Sequence, residues 1–260
     1  MKFQLLISSV EQNTSDLLKT MKVSSDAVLV NQCESDSLAC ESFDGHRITV
    51  VSQSKRGVGE SRNTAMLNAT GDICLFSDED IVYFDDYEKK VLDAFKKHED
   101  ASVITFNVEV DERRRTYWNS DVHEIKWNNY GRYPAYSIAV KRDDIINNGI
   151  FYSTLFGGGA KYSNGEDSLF LHDCLKKGLK MYSETDILGK ETYRESTWFK
   201  GYTDKFFFDR GVLYHFLYGK MAVLFGARFL LKNKNTMLRE KSFFNAFSLL
   251  RAGVREGKTL

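Results

Sequence analysis

The sequence of 260 residues has very little proline and few cysteines. Pro134 is the only proline, so no proline-rich linker separates two domains. Four cysteines are present, at Cys33, Cys40, Cys74 and Cys174, and none of them forms a Cys-x-x-Cys pair. This spacing argues against a zinc site and against a disulfide framework, and it favours the reduced thiols of a cytoplasmic protein.

Long apolar runs are also missing. Lys2 precedes an apolar run of only Leu5 to Ile7, so we expect no signal peptide. No uninterrupted apolar stretch approaches about 20 residues, so we expect no transmembrane helix. We expect the protein to lie in the cytoplasm. Peripheral attachment to the inner face of the cytoplasmic membrane is a further expectation.

The net charge is zero, but the charges are unevenly distributed. From Lys205 to Leu260 the chain has 11 Lys and Arg residues against 3 Asp and Glu residues, a local charge of +8. Among anionic partners we expect a membrane surface and not nucleic acid. Packing of this segment against the rest of the chain, or contact in a homo-oligomer, explains the same pattern, and both alternatives stay open.

The membrane interpretation depends on two sets of side chains in this amphipathic, helical segment. The apolar set is Phe206–Phe208, Leu213, Phe216, Leu217, Val223, Leu224, Phe229 and Leu230. The basic set is Lys220, Arg228, Lys232, Lys234, Arg239 and Lys241.

Strand-like and helical patterns alternate along the first part of the chain. The expected strands are 3–10, 27–30, 47–52, 73–76, 101–110 and 136–140. The expected helices are 15–21, 60–68, 85–98 and 167–177. This alternation predicts an α/β fold with a mostly parallel central sheet, flanked by helices on both faces. In such sheets ligands bind at the carboxyl ends of the strands.

Two carboxylates follow the apolar run that starts at Ile73. Asp78 and Asp80 are two residues apart, which in extended backbone places both on one face and Glu79 on the other. Mg²⁺ and Mn²⁺ prefer such oxygen ligands and bridge phosphate oxygens, so this pair is a candidate metal and diphosphate site. A solvated acidic turn is the alternative.

A glycine-containing turn lies upstream, between Lys55 and Asn63. It opens a predicted helix, where free backbone N–H groups favour anions, and Gly57 lies in the turn. Arg62 could reach a phosphate with its guanidinium fork. The alternative for Arg62 is a surface position at the start of a helix.

The same aspartates also fit a haloacid-dehalogenase-type phosphohydrolase. In that interpretation Asp78 is the nucleophile and Asp80 the acid/base. That motif usually lies near the start of the chain, whereas here a whole α/β half precedes it. A nucleotidyltransferase would need a glycine-rich loop with Arg and Lys after the first strand, which is missing. A non-catalytic scaffold relative is the remaining alternative.

The run from Gly57 to Asp80 resembles the family 2 glycosyltransferases of the GT-A fold. That family has a glycine, an Ala-Arg-Asn-like triplet, and a strand ending in Asp-x-Asp. The corresponding positions here are Gly57, Ser61-Arg62-Asn63 and Asp78-Glu79-Asp80. Downstream, Glu166-Asp167, a helical run and Gly178 resemble the family's next conserved segment. The resemblance covers roughly residues 1 to 190.

The resemblance implies a nucleotide-diphosphate sugar donor, a Mn²⁺ or Mg²⁺ cofactor and an inverting transfer. It implies that Asp80 ligates the metal and that Asp78 contacts the ribose or the metal. It also implies that Asp167 is the general base, with Glu166 as the competing carboxylate. The implied acceptor is a glycan or a lipid-linked molecule in bacterial surface-polysaccharide biosynthesis. The expected donor-binding residues are Ser8, Asn31, Gln32, Gly57, Arg62, Asp78 and Glu79.

The sequence departs from the family at two strand ends. Ser8-Ser9-Val10-Glu11 replaces the usual Pro-Thr-Tyr-Asn. Asn31-Gln32 replaces two aspartates, so an amide stands where a carboxylate commonly reads uracil. An amide can still bond to a base edge, and uridine is the expected nucleoside. Glu191, Tyr193 and Arg194 are further candidates to border the diphosphate.

The expected division follows from the resemblance. A catalytic domain covers 1–204, with a nucleotide-sugar half at about 1–110 and an acceptor half at about 111–204. A basic helical extension covers 205–260.

Overall fold

The computed structural model describes residues 1–112, 115, 117–192, 201–239 and 241–260. The strands are β1 Phe3–Val10, β2 Ala27–Gln32, β3 Ser37–Phe43, β4 His46–Gln53, β5 Ile73–Asp78, β6 Ile81–Tyr83, β7 Val103–Glu109, β8 His123–Glu124, β9 Ile138–Lys141 and β10 Met181–Glu191. The α-helices are α1 Thr14–Met21, α2 Val58–Asn68, α3 Tyr87–Lys97, α4 Arg142–Asn147, α5 Glu166–Lys176, α6 Asp204–Tyr218, α7 Ala222–Lys232, α8 Lys234–Met237 and α9 Phe243–Gly257.

One sheet runs through the molecule in the order β3-β4-β2-β1-β5-β9-β7-β10-β6, with β8 paired to β10. The neighbours β4, β2, β1 and β5 are parallel, as are β7 and β10. Strand β9 is antiparallel to both β5 and β7. The expected α/β fold is confirmed, and its sheet is mixed, because the parallel strands are confined to those two groups.

Strand β3 was not expected from the sequence. Its side chains are almost all exposed, so it has no apolar pattern to reveal it. It forms a hairpin with β4 through Asp44 and Gly45, whose φ values of 46° and 83° are both positive. The dipeptide Asp-Gly is the usual sequence for such a two-residue turn, and it was the available signal for this hairpin.

Helices cover both faces of the sheet. On one face, α1 and α3 contribute Leu17, Leu18 and Val91 to a core that includes Leu5 and Ile7 of β1. On the other face, α2, α4 and α5 pack against the opposite side chains of the same strands. Alternate residues of β1 therefore enter different cores, with Leu5 and Ile7 on one face and Leu6 on the other, which is why Leu5 to Ile7 is a continuous apolar run.

A third core joins the C-terminal helices α6, α7 and α9 to the segment before α5. It includes Phe156 and Tyr162 of that segment, and Leu169 of α5 itself. Four residues of the expected apolar surface set, Phe206, Phe207, Leu213 and Leu230, are buried in this core. For these four the expectation of an apolar surface was wrong, because the helices pack on each other and on the segment before α5. Among the described residues, no helix combines the length and the apolar character needed to span a bilayer.

Candidate active site

Three parallel strands end side by side at the candidate site. Ser8 of β1 is in register with Asp78 at the end of β5, and Val10 is in register with Gln32 at the end of β2. These are the carboxyl ends of the strands, where a parallel sheet leaves a crevice for ligands. The sheet therefore brings the expected donor-binding residues from three separate segments to one edge.

Asp78 and Asp80 do not lie on one extended strand. Strand β5 stops at Asp78, and Glu79 and Asp80 form a turn that leads into β6. The expectation of strand alternation was wrong here, because the chain reverses at this point. The Glu79 Oε2 accepts the Val10 N–H at 2.9 Å, which ties the turn to the end of β1. The main-chain carbonyl of Asp80 accepts the N–H and hydroxyl of Thr192, at 2.7 and 3.0 Å.

Arg62 joins the two carboxylate motifs. Its Nη2 donates to Asp78 Oδ1 at 3.0 Å, and its Nη1 donates to Asp167 Oδ1 at 3.0 Å and to Glu166 Oε1 at 3.4 Å. The arginine side chain is only 4% exposed. Three carboxyl groups share this one guanidinium, so their negative charge exceeds its positive charge when all three are ionised. The guanidinium also lies 5.1 Å from the ring centroid of Tyr152, a contact that the sequence analysis missed.

The neighbours of Arg62 explain why it is placed so firmly. Ser61 donates its hydroxyl to Ser8 at 3.0 Å, which attaches α2 to β1. The Asn63 side chain accepts the Tyr152 N–H at 2.7 Å and donates to the Tyr152 carbonyl at 2.9 Å. The triplet therefore attaches one turn of helix to two distant segments, with the arginine between them.

The surroundings of Asp167 raise the pKa of its carboxyl group above the ordinary aspartate value. Burial raises its pKa to about 8; the neighbouring Glu166 and Asp78 charges also raise the pKa, while Arg62 lowers it. The same carboxylates raise the pKa of Arg62 despite its burial, so the guanidinium stays charged. A carboxyl group whose pKa lies near neutrality is suited to proton transfer, because it can both take and release a proton.

Glu166 and Asp167 differ in how far the protein encloses their carboxylates. Glu166 Oε2 accepts the Gly165 N–H at 3.0 Å, and its carboxylate lies against Gly157 so closely that a Cβ there would be 2.8 Å from Glu166 Cδ. The Glu166 side chain is 13% exposed, whereas that of Asp167 is 22% exposed. Asp167 is thus the more open of the two carboxylates.

The amides expected to read the base are occupied by the protein. Gln32 is buried, and its Oε1 accepts the Gly57 N–H at 2.7 Å. The Asn31 side chain accepts the Gln12 N–H at 3.1 Å and donates to the Gln12 carbonyl at 2.8 Å. In this conformation both amides support the loops after β1 and β4.

The expectation of free N–H groups at the glycine turn was wrong for Gly57 and Val58. Gly57 donates to Gln32, and Val58 donates to the Gly158 carbonyl at 2.9 Å. Lys55 and Arg56 line a small cleft beside this turn together with Gly59 and Thr154. Glu60 also lines this cleft, and the two basic side chains are ion-paired, Lys55 with Glu60 at 3.2 Å and Arg56 with Glu11 at 2.6 Å.

The glycine-rich segment 156–165 is attached to the C-terminal helices. The buried carboxylate of Asp209 on α6 accepts the Ser163 N–H at 2.9 Å, the Ser163 hydroxyl, and the Lys205 ammonium at 2.6 Å. Glu256 of α9 accepts from Lys161 and from the Tyr162 hydroxyl, both at 2.9 Å. The sequence analysis missed these supports, since neither acid belongs to a recognisable motif.

The described part of the chain contains no group of three or more His, Cys, Asp or Glu side chains arranged to hold a metal ion. The carboxylates of Asp78 and Asp80 are chemically suited to a hard divalent ion, because Mg²⁺ is usually held by one or two carboxylates together with substrate phosphates and water. Glu191 pairs with Ile81 next to this turn. Tyr193 and Arg194, the other two candidates to border the diphosphate, lie outside the described residues.

The family model for glycosyl transferase family 2 matches residues 26–156, which is just over half of the chain. The match includes β2 to β9 and both the Arg62 and the Asp78 motifs. The chain belongs to glycosyl transferase family 2, and it is a glycosyltransferase. This replaces the phosphohydrolase interpretation of Asp78 and Asp80.

Solved structures share this fold at low sequence identity. TarS of S. aureus, residues 1–349 in complex with UDP-GlcNAc, matches with a TM-score of 0.63 and 15% identity, covering 92% of this chain and 74% of that one. A second crystal structure of the same TarS fragment matches with a TM-score of 0.62 and 14% identity, covering 98% and 82%.

A more distant match is the mannosyltransferase PcManGT from Pyrobaculum calidifontis in complex with GDP-Man and Mn²⁺. Its TM-score is 0.52 at 12% identity, with 99% of this chain and 87% of that chain covered. A comparison with curated protein sequences found no significant match.

Proposed function

We propose that this glycosyltransferase moves a sugar from a nucleotide-diphosphate donor to a hydroxyl of a glycan or lipid-linked acceptor, with a divalent metal and with inversion at the anomeric carbon. One observation carries the proposal: Arg62 holds the strand-end carboxylate Asp78 and the helix-start carboxylate Asp167 on the same guanidinium. Arg62 therefore lies between Asp78, which is suited to contact the donor, and Asp167, which is suited to contact the acceptor.

The donor half of the proposal concerns Asp78 and Asp80. We assign them as ligands of Mn²⁺ or Mg²⁺, and the ion would neutralise the charge that develops on the leaving diphosphate. The cluster of three carboxyl groups around Arg62 and the preference of hard cations for oxygen ligands support a cation here. The Mn²⁺ that accompanies GDP-Man in the PcManGT complex is a further support. Ser8, Gly57 and Glu79 would shape the donor crevice, in which Arg62 would hold Asp78.

The acceptor half concerns Asp167, which we assign as the general base. The acceptor hydroxyl must lose its proton as it attacks the anomeric carbon, and a positioned carboxylate takes that proton. Glu166 is the weaker candidate, because its carboxylate is held by the Gly165 N–H and packed on Gly157. Attack by the acceptor and departure of the diphosphate in one displacement would invert the configuration.

For the nucleoside we propose uridine. The UDP-GlcNAc and UDP complexes of TarS support this choice, whereas PcManGT was solved with GDP-Man. Asn31 and Gln32 would have to rearrange their present hydrogen bonds to read a base directly. From the sequence resemblance to family 2 glycosyltransferases, we also propose a role in bacterial surface-polysaccharide biosynthesis, with residues 1–204 as the catalytic domain.

The test is a thermal-shift panel of UDP-, GDP- and dTDP-sugars, each with Mn²⁺, Mg²⁺ or chelator. A donor that binds the folded state raises the melting temperature, through about 2.7 kcal/mol of stabilisation at a hundredfold excess over its dissociation constant. We expect a UDP-sugar with metal to give the largest shift. Each donor that binds is then incubated with the enzyme, and released nucleoside diphosphate is measured. Equal shifts with chelator would contradict the metal, and a larger shift with a GDP-sugar would contradict uridine.

A further inference from the structure

Helix α7 has an outward face that the described residues of the chain leave uncovered. Its inward face is formed by Ala222, Gly226 and Leu230, which are buried and spaced four residues apart. Gly226 lies so close to α9 that a Cβ there would be 2.4 Å from a methyl carbon of Leu250. This close contact fixes the rotation of α7, so the opposite face must point into solvent.

Three large apolar side chains lie on that outward face. Met221, Leu224 and Leu231 are 51%, 63% and 59% exposed. At 3.6 residues per turn, their spacing with Arg228 places all four within one stripe, opposite the buried stripe. Single exposed apolar residues are common on proteins, but Leu224 and Leu231 of α7, together with Met221 directly before the helix, form a patch that calls for a partner.

The same face is basic. Lys220, Arg228 and Lys232 are exposed around the apolar residues. Between Asp209 and Glu240 the sequence has no acidic residue, so no nearby acid of this segment compensates their charge. An apolar stripe bordered by cations is the pattern of helices that lie in the interface of an anionic bilayer. Two copies of this face would bring like charges together, which disfavours a symmetric dimer contact.

We propose that the outward face of α7, defined by Met221, Leu224, Arg228, Leu231 and Lys232, binds the surface of an anionic phospholipid bilayer. Leu224 and Leu231 enter the acyl boundary, and Arg228 and Lys232 contact the lipid phosphates. Helix α6, which packs beside α7 in the same core, holds Leu213 against Gly165 next to the candidate base. Docking through α7 would thus attach the enzyme on the side of the molecule that supports this segment. The inference concerns binding alone and does not depend on the proposed transferase mechanism.

The test uses the full chain and flotation with vesicles of phosphatidylcholine alone or of equal parts phosphatidylcholine and phosphatidylglycerol. We expect flotation only with the anionic vesicles, and less of it as salt is raised. R228Q combined with K232Q should lower the partition coefficient by about fivefold for each cation removed. L224S combined with L231S should lower it by at least about tenfold. Since all four side chains are exposed, the melting temperature should not change.

Matched controls lie far from this helix in the fold. K19Q removes an exposed cation from α1, and L38S removes a side chain of β3 that is 66% exposed. Both should float like the wild type. Equal flotation of all variants, or no flotation of the wild type with anionic vesicles, would overturn the proposal. So would light scattering that shows a dimer which L224S with L231S converts to a monomer, because α7 would then be a contact between copies.

Discussion

Two regions meet at Arg62, and they are built in different ways. The strand-end region consists of the carboxyl ends of β1, β2 and β5, and its positions follow from the main-chain register of parallel strands. The loop region consists of the segment 156–165 and the start of α5. Its described supports include side chains from α6 and α9, among them Asp209, Leu213 and Glu256.

This difference indicates which substitutions should impair donor binding and which should impair turnover. A backbone ladder places Asp78 through repeated hydrogen bonds, so no single side chain is needed to hold the strand. The loop region depends on a few side chains, and the carboxylate of Asp209 alone accepts three hydrogen bonds. We therefore expect changes in the strand-end region to affect donor binding, and changes in the loop region to affect turnover.

The largest expected effect comes from the loop region. Asp167→Asn removes the proposed base while keeping the size of the side chain, and loss of a general base typically costs about 10²–10⁴ in rate. We expect kcat to fall on that scale while the dissociation constant of the donor, measured by calorimetry, changes little. Glu166→Gln is the matched control and should retain more activity. A near wild-type rate for Asp167→Asn, with a large loss for Glu166→Gln, would transfer the role to Glu166.

The next effect should appear in the strand-end region. Asp80→Asn weakens a proposed metal ligand, and even changes to outer-shell partners of metal ligands typically cost about 10- to 100-fold in metal affinity. We expect donor affinity in the presence of Mn²⁺ to fall by at least about tenfold. Affinity measured with chelator should be the same for variant and wild type. Equal loss under both conditions would mean that Asp80 acts without a metal.

The pH dependence of kcat tests the loop region separately from the strand-end region. Burial and the neighbouring acids raise the pKa of Asp167 to about 8, and a base works only when it is unprotonated. We expect kcat to rise with pH towards about 8 and to fall about tenfold for each unit below that pKa. The residual kcat of Asp167→Asn should not show this rise with pH. An apparent pKa close to the ordinary aspartate value of about 4 would contradict the effect of burial.

The smallest effect is expected from Asp209, which acts through the loop. Asp209→Asn removes the charge that holds Ser163 and Lys205, and hydrogen bonds to charged groups contribute about 1.5–3 kcal/mol each. We expect a lower melting temperature and a several-fold lower kcat, with unchanged donor affinity. Asp204→Asn is the control on the same helix, because its carboxylate is 70% exposed. A loss of donor affinity in Asp209→Asn would show that the two regions are not separable.

Much of the strand-end region could be predicted from local patterns. The strand 3–10 was predicted with the bounds that β1 has, and α2 and β5 were predicted within two residues at each end. Arg62 and Asp78 are only 16 residues apart, so one motif contained both. The edge strand β3 was missed, because exposed side chains give no apolar periodicity. The turn at Glu79 was also missed, because a short acidic segment is compatible with either a strand or a turn.

The sequence by itself determined the fold class, the order of the main elements and the identity of the acidic motifs, since these depend on periodicities and spacings within a few residues. Only the tertiary structure decided that Arg62 pairs with Asp167, which is 105 residues away, and that Tyr152 packs beside it. It also decided that Gln32 and Gly57 bond to each other, and which apolar residues of the C-terminal helices are buried. Contacts between distant segments depend on how whole helices and strands pack, and no local pattern of residue types carries that information.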